Sequence, residues 1–264
     1  MTGYEGPETG RDVARYIRAD LRETGEAQVI GHAPVAAHLE HRDGGMRMGA
    51  LLTVFDYVGG LCAGLAALPD GWVVPTNLAA KRVRNTGVGP LRIAAQVLRT
   101  GRNNVVTGVE VRDEGDGDAL VVDGVLTSSI LVPENGPPKW ERPLFISVGK
   151  ETSVDLPSIP EWLGVRTSDT AGIEIDLADR LRNPWGILHG GVVAMLIDLG
   201  IERVTGGRTT DIVLHFLAPN RVGPVQATTH VLGRRSDGHI ARVELRDAGA
   251  NRLTAVAIVT ATDD

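Results

Sequence analysis

The chain carries one sequence pattern twice, and this repeat limits the fold more than any other feature. GALLTVFD at 49–56 matches GVVAMLID at 191–198, at an offset of 142 residues. Two further pairs follow in the same order at an offset of 134 residues: VGP at 88–90 with 222–224, and VEVRD at 109–113 with VELRD at 243–247. Chance gives one such match but hardly three in register. We therefore predict two copies of one domain, the second with a loop about eight residues shorter.

The repeat divides the 264 residues into two domains of ordinary size. The stretch PENGPPKWERP at 133–143 is rich in proline and polar residues, which is typical of a linker. We predict an N-terminal domain over 1–132, a linker over 133–143 and a C-terminal domain over 144–264.

Each copy has the pattern of one helix followed by strands. Apolar segments at 49–68 and 191–203 follow glycine-rich turns and predict helices. Strands are predicted at 91–99, 104–113 and 120–132, and at 212–219, 226–235, 239–247 and 253–262, with a hairpin turn at 236–238. Such a sheet buries one face on its helix, and an unpaired edge strand favours pairing with its twin. The predicted fold class is α+β, with two long central helices wrapped by one continuous antiparallel sheet.

Charge and cysteine content exclude several classes of protein. The net charge of −6 disfavours nucleic-acid binding, and the single cysteine, Cys62, allows no intrachain disulfide and no cysteine-based zinc site. The first 22 residues have mixed charge and no apolar core, unlike a signal peptide. The segment 49–68 is long enough to cross a membrane, but Asp56 and four glycines favour a helix buried in a soluble domain. We expect a cytoplasmic protein without nucleic-acid or membrane partners.

Motifs for other chemistries are missing from the sequence. It has no phosphate-binding loop, no dinucleotide fingerprint and no Gly-x-Ser-x-Gly elbow, so no cofactor and no Ser-His-Asp triad are expected. His38 and His41 form the only close histidine pair. Such a pair is more often a surface feature than a metal site, and we expect no metal.

Two acidic residues occupy the same place in both repeats. Residues 192–200 are apolar except for Asp198, and Asp56 stands at the matching position of the first copy. A single carboxylate of this kind could equally be a structural ion-pair partner. Two at one repeat position favour function, because a half-buried carboxylate has a raised pKa that suits a general base.

The second of these helices is preceded by the turn NPWGILHGG at 183–191. A glycine pair at a helix start leaves backbone N–H groups without side chains in front of them, and the helix dipole adds positive potential there. Such a turn can bind a carbonyl oxygen that becomes negatively charged. Taken alone, it could also be no more than a tight turn with a hydrogen-bonded histidine.

Together these residues resemble the PaaI-like family of hotdog-fold acyl-CoA thioesterases. The resemblance rests on Asn183, His189, Gly190, Gly191 and Asp198, which match the family's spacing, and it spans the second copy. It implies a tandem, or double hotdog, protein that hydrolyses acyl-CoA or acyl-carrier thioesters without a cofactor. In that family the glycine after the histidine offers its N–H to the thioester oxygen, and the aspartate activates water or attacks directly.

A hydroxyl residue on the next strand assists in that family. Thr209 stands at that position, with Thr210 as the alternative alignment. Gly191 is expected to contact substrate together with the first-copy residues that align with the turn or with the threonine: Arg47, Met48, Gly49 and Thr76.

The first copy departs from the family pattern at its turn. The repeat places His41 opposite Asn183, Arg47 opposite His189, Met48 opposite Gly190 and Gly49 opposite Gly191. In hotdog dimers of this kind, the turn of one subunit meets the carboxylate of the other. The resemblance therefore implies two unlike composite sites. One joins Asn183, His189 and Gly190 to Asp56, with Thr76 nearby; the other joins Asp198 and Thr209 to His41, Arg47 and Met48.

Helix geometry also favours this crossed arrangement. His189 and Asp198 are nine residues apart, which is about 13 Å along a helix axis. A carboxylate at that distance cannot reach a carbonyl held by the first N–H groups of its own helix. The carboxylate partner of the turn at 183–191 must then come from the other copy.

A basic cluster stands out in this acidic chain. Lys81, Arg82 and Arg84 lie close together, with further arginines at 92, 99 and 102. The cluster is either a solvated strand end or a binding site for the phosphates of CoA.

Two alternatives for function stay open at this stage. Arg47 and Met48, in place of His-Gly, favour a non-catalytic hotdog protein that binds acyl thioesters or another small apolar ligand. A hotdog enoyl hydratase would require an Asp–His pair in one loop, which the sequence lacks. We also expect the fused unit to pair further as a homo-oligomer.

Overall fold

The structure is a computed structural model that describes residues 11–132, 134, 136–137, 139, 142–147, 155–168 and 172–263. Five of the eleven residues of the predicted linker at 133–143 lie outside the described residues. The helices are α1 Arg11–Ile17, α2 Met48–Ala67, α3 Ile159–Leu163 and α4 Gly190–Thr205. The strands before α3 are β1 Asp20–Gly25, β2 Gln28–Ala33, β3 Trp72–Arg82, β4 Leu91–Thr100, β5 Asn104–Asp113, β6 Ala119–Leu131 and β7 Phe145–Ile146. The later strands are β8 Arg166–Ser168, β9 Gly172–Ile175, β10 Arg208–Phe216, β11 Val225–Arg235, β12 Gly238–Asp247 and β13 Arg252–Thr262.

Within the described ranges all 13 strands form one antiparallel sheet in the order β7-β1-β2-β4-β5-β6-β3-β10-β13-β12-β11-β9-β8. From its centre outward, the first half has the order β3-β6-β5-β4-β2-β1, and the second half repeats it as β10-β13-β12-β11-β9-β8. The halves join where β3 pairs with β10, from Lys81 opposite Asp211 to Asn77 opposite His215. The predicted continuous sheet, joined edge to edge, is confirmed.

The two long helices lie where the sequence predicts them, inside the curve of the sheet. In α2, 17 of the 20 residues are buried, because the sheet covers most of the helix and α4 covers the rest. Among the described residues, α2 is the one helix with the length and hydropathy of a membrane span, and 83% of its most apolar window is buried inside the protein. The all-round apolar pattern of 49–68 is therefore that of a core helix.

The repeated VGP and V-E-x-R-D motifs form one structural unit in each half. The Asp113 carboxylate accepts the backbone N–H groups of Gly87, Val88 and Gly89 at 2.7–3.0 Å. Asp247 accepts those of Arg221, Val222 and Gly223 at 2.7–2.9 Å, in the same arrangement. In both, these backbone hydrogen bonds outweigh desolvation and lower the pKa of the carboxyl group. The motifs occur twice because each aspartate holds the loop that leads into the next strand.

Several elements differ from the sequence prediction. Strand β10 runs from Arg208 to Phe216 instead of 212–219, so Thr209 lies within the strand. No element was predicted from the sequence for α1, α3, the central strand β3 or the outer strands β1, β2, β7, β8 and β9, which are short or partly polar. Strand β7, assigned to the second domain by sequence, pairs with β1 of the first half. The domain division itself stays a prediction.

We expect Asp247→Ala to lower the free energy of unfolding by about 2–3 kcal/mol, because three N–H groups of the loop at 221–223 lose the carboxylate that accepts them. Urea denaturation at pH 7 measures the change. Asp237→Ala is the matched control, since its ion pair with Arg235 is exposed and should contribute less than about 0.5 kcal/mol. Equal effects of the two substitutions would contradict the structural role of Asp247.

Candidate active site

Helices α2 and α4 run antiparallel and touch backbone to backbone near their N-termini. A Cβ atom on Gly191 would lie 2.7 Å from the Cα of Thr53, and one on Gly49 would lie 2.7 Å from the Cα of Met195. Carbon atoms do not approach this closely, so each crossing point requires glycine. Both glycines serve the contact between the helices, and their expected contact with substrate stays a prediction.

This crossing places Asp56 of α2 against the first turn of α4. A Cβ atom on Gly190 would lie 2.7 Å from Oδ2 of Asp56, so the carboxylate contacts the Gly190 main chain. His189 is the N-cap residue of α4, and its Nδ1 lies 3.5 Å from the same oxygen. Asp56 and His189 are buried, whereas Gly190 is partly open to solvent. The structure thus brings Asp56, His189 and Gly190 together, in the crossed arrangement expected from the sequence.

Burial shifts the pKa values of both Asp56 and His189. It raises the pKa of Asp56 from 3.8 to about 7, and a hydrogen bond from the Gly191 N–H opposes the rise. Burial also lowers the pKa of His189 from 6.5 to about 4, so its ring is neutral near pH 7. The Gly191 N–H donates to Nδ1 of His189 at 3.0 Å, which places the proton of the neutral ring on Nε2. The contact of His189 with Asp56 is therefore not an ion pair at neutral pH.

Asn183 shapes the turn that leads into α4. Its Oδ1 accepts the N–H groups of Trp185 at 3.0 Å and Ile187 at 3.3 Å, and its own N–H donates to the Ile187 carbonyl. The first copy uses His41 at the matching place, where Nδ1 accepts the Asp43 N–H at 3.3 Å. These contacts make Asn183 a residue that orders the turn, and any contact with substrate stays a prediction.

The second composite site is an ion-pair cluster. Asp198 lies beside Gly49 of α2, and its Oδ2 is 3.8 Å from Nη1 of Arg47. The same Nη1 is 2.6 Å from Oε2 of Glu202, whose other oxygen is 3.4 Å from Nε2 of His41. Asp198 therefore has a guanidinium beside it, whereas in the part of the chain that the structure describes no lysine or arginine forms an ion pair with Asp56.

Two findings on this cluster differ from the sequence analysis. His41 was expected on the surface, but only 4% of it is exposed, because the α2 turn and the C-terminal part of α4 cover it. Burial lowers the pKa of His41, while Glu202 acts to raise it. Glu202 was missed entirely, since nothing in the sequence shows which charged residue faces Arg47. Met48, the counterpart of Gly190, is fully buried.

The threonines separate into two kinds. Thr76 and Thr210 are equivalent, because each stands at a bulge and donates its hydroxyl to a backbone carbonyl, Thr127 at 3.1 Å and Thr260 at 3.2 Å. Thr209 is 2% exposed, and among the described residues its hydroxyl has no hydrogen-bond partner. A catalytic role for either Thr209 or Thr76 stays a prediction.

The basic cluster borders the loop before α2. Nη2 of Arg82 donates to the Met46 carbonyl at 3.0 Å, which ties the end of β3 to that loop. Nζ of Lys81 is 3.3 Å from Asp211, and Nη1 of Arg84 is 4.0 Å from Asp116. Lys81 and Arg84 are exposed and paired with exposed or half-exposed carboxylates, so their ion pairs are weak.

Comparison with protein families gives a match over part of the chain. The model of the thioesterase superfamily matches residues 47–120, from the N-terminus of α2 to the start of β6. Over these residues the chain is similar to the thioesterase superfamily. This match falls on the first copy, although the resemblance noted in the sequence rests on the second. A comparison with curated proteins gives no match.

Two solved structures share the fold of this chain along most of its length. A 12:0-ACP thioesterase from Umbellularia californica is 12% identical and has a TM-score of 0.61, with 90% of this chain and 95% of that one covered. An acyl-ACP thioesterase from Bacteroides thetaiotaomicron gives the same identity and TM-score, with 90% and 100% covered. A conserved protein from Pseudomonas aeruginosa is 31% identical over 45% of this chain and 92% of its own, with a TM-score of 0.42. The double hotdog architecture is thus that of known thioesterases.

We expect Asp56→Asn to stabilise the protein more at pH 8 than at pH 5. The pKa of Asp56 is near 7 in the folded state, against an ordinary value of 3.8. Between pH 3.8 and pH 7 the folded protein therefore keeps a proton on Asp56 that the unfolded chain has lost. The stability that Asp56 contributes is thus present at low pH and is lost as pH rises towards 7. The variant keeps a neutral side chain throughout. Its advantage over the wild type should grow by about 2–3 kcal/mol between pH 5 and pH 8.

Urea unfolding of both proteins at the two pH values measures this difference, and the titration of His189 cancels because both proteins contain it. An advantage independent of pH would show that the folded state does not raise the Asp56 pKa.

Proposed function

We propose that the protein hydrolyses acyl thioesters at the composite site formed by Asp56 and the N-terminus of α4. The observation that carries this proposal is a buried carboxylate in contact with the main chain of Gly190, at the start of a helix. A general base works best with a pKa near the working pH, and the environment of Asp56 supplies one. The helix start supplies the N–H groups that stabilise an oxyanion.

In the proposed reaction the thioester carbonyl accepts a hydrogen bond from the Gly190 N–H. The Asp56 carboxylate removes a proton from water, and the oxygen of that water bonds to the carbonyl carbon. The tetrahedral intermediate then expels the sulfur, which receives the proton from Asp56, giving a carboxylic acid and a thiol. Direct attack by Asp56, giving a mixed anhydride that water then hydrolyses, uses the same geometry and stays the alternative.

His189 has a structural part in this scheme. Its neutral ring accepts the Gly191 N–H and lies against Asp56 without bringing a positive charge. A charged imidazolium in that place would lower the Asp56 pKa and weaken the base. Asn183 keeps the turn in shape, so that the Gly190 N–H is not taken up by the loop.

We propose acyl-CoA as the substrate class, in keeping with the PaaI-like pattern of the second copy, with acyl-carrier protein as the alternative carrier. Lys81, Arg82 and Arg84 are the candidate contacts of the CoA phosphates. Exposed ion pairs such as that of Lys81 with Asp211 contribute little, so a phosphate can replace the carboxylate at small cost. Release of free thiol from CoA esters and from acyl-carrier protein, compared directly, distinguishes the two carriers.

We expect Asp56→Asn to lower kcat by about 10²–10⁴-fold, because it removes the base. Asp198→Asn is the matched control: the same chemical change at the repeat-related position, where Arg47 already neutralises the charge, should leave most activity. Thiol release by both purified variants, with circular dichroism to check folding, measures this. An inactive Asp198→Asn protein with an active Asp56→Asn protein would reverse the assignment of the sites.

We also expect kcat/KM to rise with pH and to level off above about pH 7, because Asp56 must lose its proton to act as a base. The rise should follow a single ionisation and should be unchanged in Asp198→Asn. An acid limb centred near pH 4 would show that Asp56 is not the titrating base.

The second candidate function is binding without turnover. Arg47 and Met48 favour this alternative, because they replace the His-Gly pair of the family pattern in the first copy. The carboxylate beside this turn, that of Asp198, forms an ion pair with Arg47. A wild-type protein that binds acyl-CoA in calorimetry and releases no thiol would establish this alternative.

A further inference from the structure

Thr53 lies on α2 three residues before Asp56, so both side chains face α4. It is fully buried, and its single hydroxyl proton is shared between the Gly191 carbonyl at 3.1 Å and the Gly49 carbonyl at 2.7 Å. The first of these hydrogen bonds crosses from one helix to the other. Its acceptor belongs to the first turn of α4, beside the proposed oxyanion donor.

The other crossing point of the two helices lacks such a hydroxyl. Met195 occupies the place in the second copy that Thr53 has in the first, and Gly49 packs against its Cα, so at this point no hydroxyl is present to bridge the helices. The helix crossing itself therefore does not require a hydroxyl. The threonine is found at the crossing point of the Asp56 site, and methionine at that of the ion-pair cluster.

Gly191 connects Thr53 to the reacting groups. Its carbonyl accepts from Thr53, while its N–H donates to Nδ1 of His189 and lowers the pKa of Asp56. A shift of Gly191 relative to α2 changes the contact of its N–H with the carboxylate. The same shift moves Gly190, the neighbour that contacts Asp56 directly.

We propose that the Thr53 hydroxyl is a positioning group for this site: it anchors the first turn of α4 to α2 and so fixes Gly190 and Gly191 against Asp56. This inference rests on the proposed function for its kinetic consequence, but not for its structural one. Displacing a reacting group by less than 1 Å is enough to slow an enzyme, even where substrate binding is retained.

Thr53→Val removes the hydroxyl and keeps the shape, and we expect it to lower kcat about 10-fold with little change in KM. Thr254→Val is the matched control, because Thr254 is also buried and donates its hydroxyl to a backbone carbonyl, that of Leu245 at 3.0 Å in the sheet. The control should lose similar thermal stability and keep its kcat. A second pair, Thr53→Ser and Thr53→Ala, differs by the hydroxyl alone, and we expect kcat to be higher for serine. Hexanoyl-CoA and dodecanoyl-CoA serve as substrates.

A direct titration tests the inference without turnover. In protein labelled with ¹³C at the aspartate carboxyls, the Asp56 signal is assigned by its loss in Asp56→Asn and followed against pH. Thr53→Val and Thr53→Ala should shift its ionisation to higher pH, because the Gly191 N–H no longer holds the carboxylate, while Thr254→Val should not.

The two proposals fail in different ways. A wild-type protein without thiol release removes the proposed function, yet the titration still decides the placement of Asp56. A Thr53→Val protein with wild-type kcat and wild-type titration overturns the positioning role, as does equal activity of the serine and alanine variants.

Discussion

Two helices that touch through their backbones set the distances on which this structure depends. Side chains normally keep packed helices 8–10 Å apart. Here Gly191 meets Thr53 and Gly49 meets Met195, so α2 and α4 approach without a side chain between them. This contact puts the carboxylate of Asp56 on the first turn of α4, and a larger residue at either glycine would separate the two. The continuous sheet supports the arrangement, because the β3–β10 junction fixes how the halves face each other.

The two repeat-related aspartates show how environment decides chemistry. Asp56 is buried against Gly190, Gly191 and the neutral ring of His189, and this burial raises its pKa to about 7. Asp198 has the guanidinium of Arg47 at 3.8 Å, which in turn pairs with Glu202. Asp198 is thus part of an ion-pair cluster that joins the two helices, whereas no described lysine or arginine forms an ion pair with Asp56.

The buried aspartates also differ in the number of backbone N–H hydrogen bonds that they accept. Asp113 and Asp247 are as buried as Asp56, but each collects backbone N–H groups from a loop, and these lower the pKa and stabilise the fold. Asp56 accepts far less, so its charged form is costly in the folded protein. Active sites commonly contain groups that destabilise the folded state, and interactions elsewhere in the structure offset this destabilisation. The buried helix, the sheet and the two aspartate-held loops provide that stability here.

Much of the fold could be predicted from the sequence, because it depends on local patterns and on their repetition. The repeat gave the two halves, the apolar runs gave α2 and α4, and the edge-strand argument gave the continuous sheet. Helix length excluded Asp198 as the partner of the turn at His189, and the repeat together with the family resemblance indicated Asp56. Tertiary structure decided what depends on contacts between distant residues: the partnership of Arg47 with Glu202, the burial of His41 and the hydrogen bond from Thr53 to Gly191. Those contacts join residues about 140–160 positions apart, and no local pattern records which side chains will face each other when the helices cross.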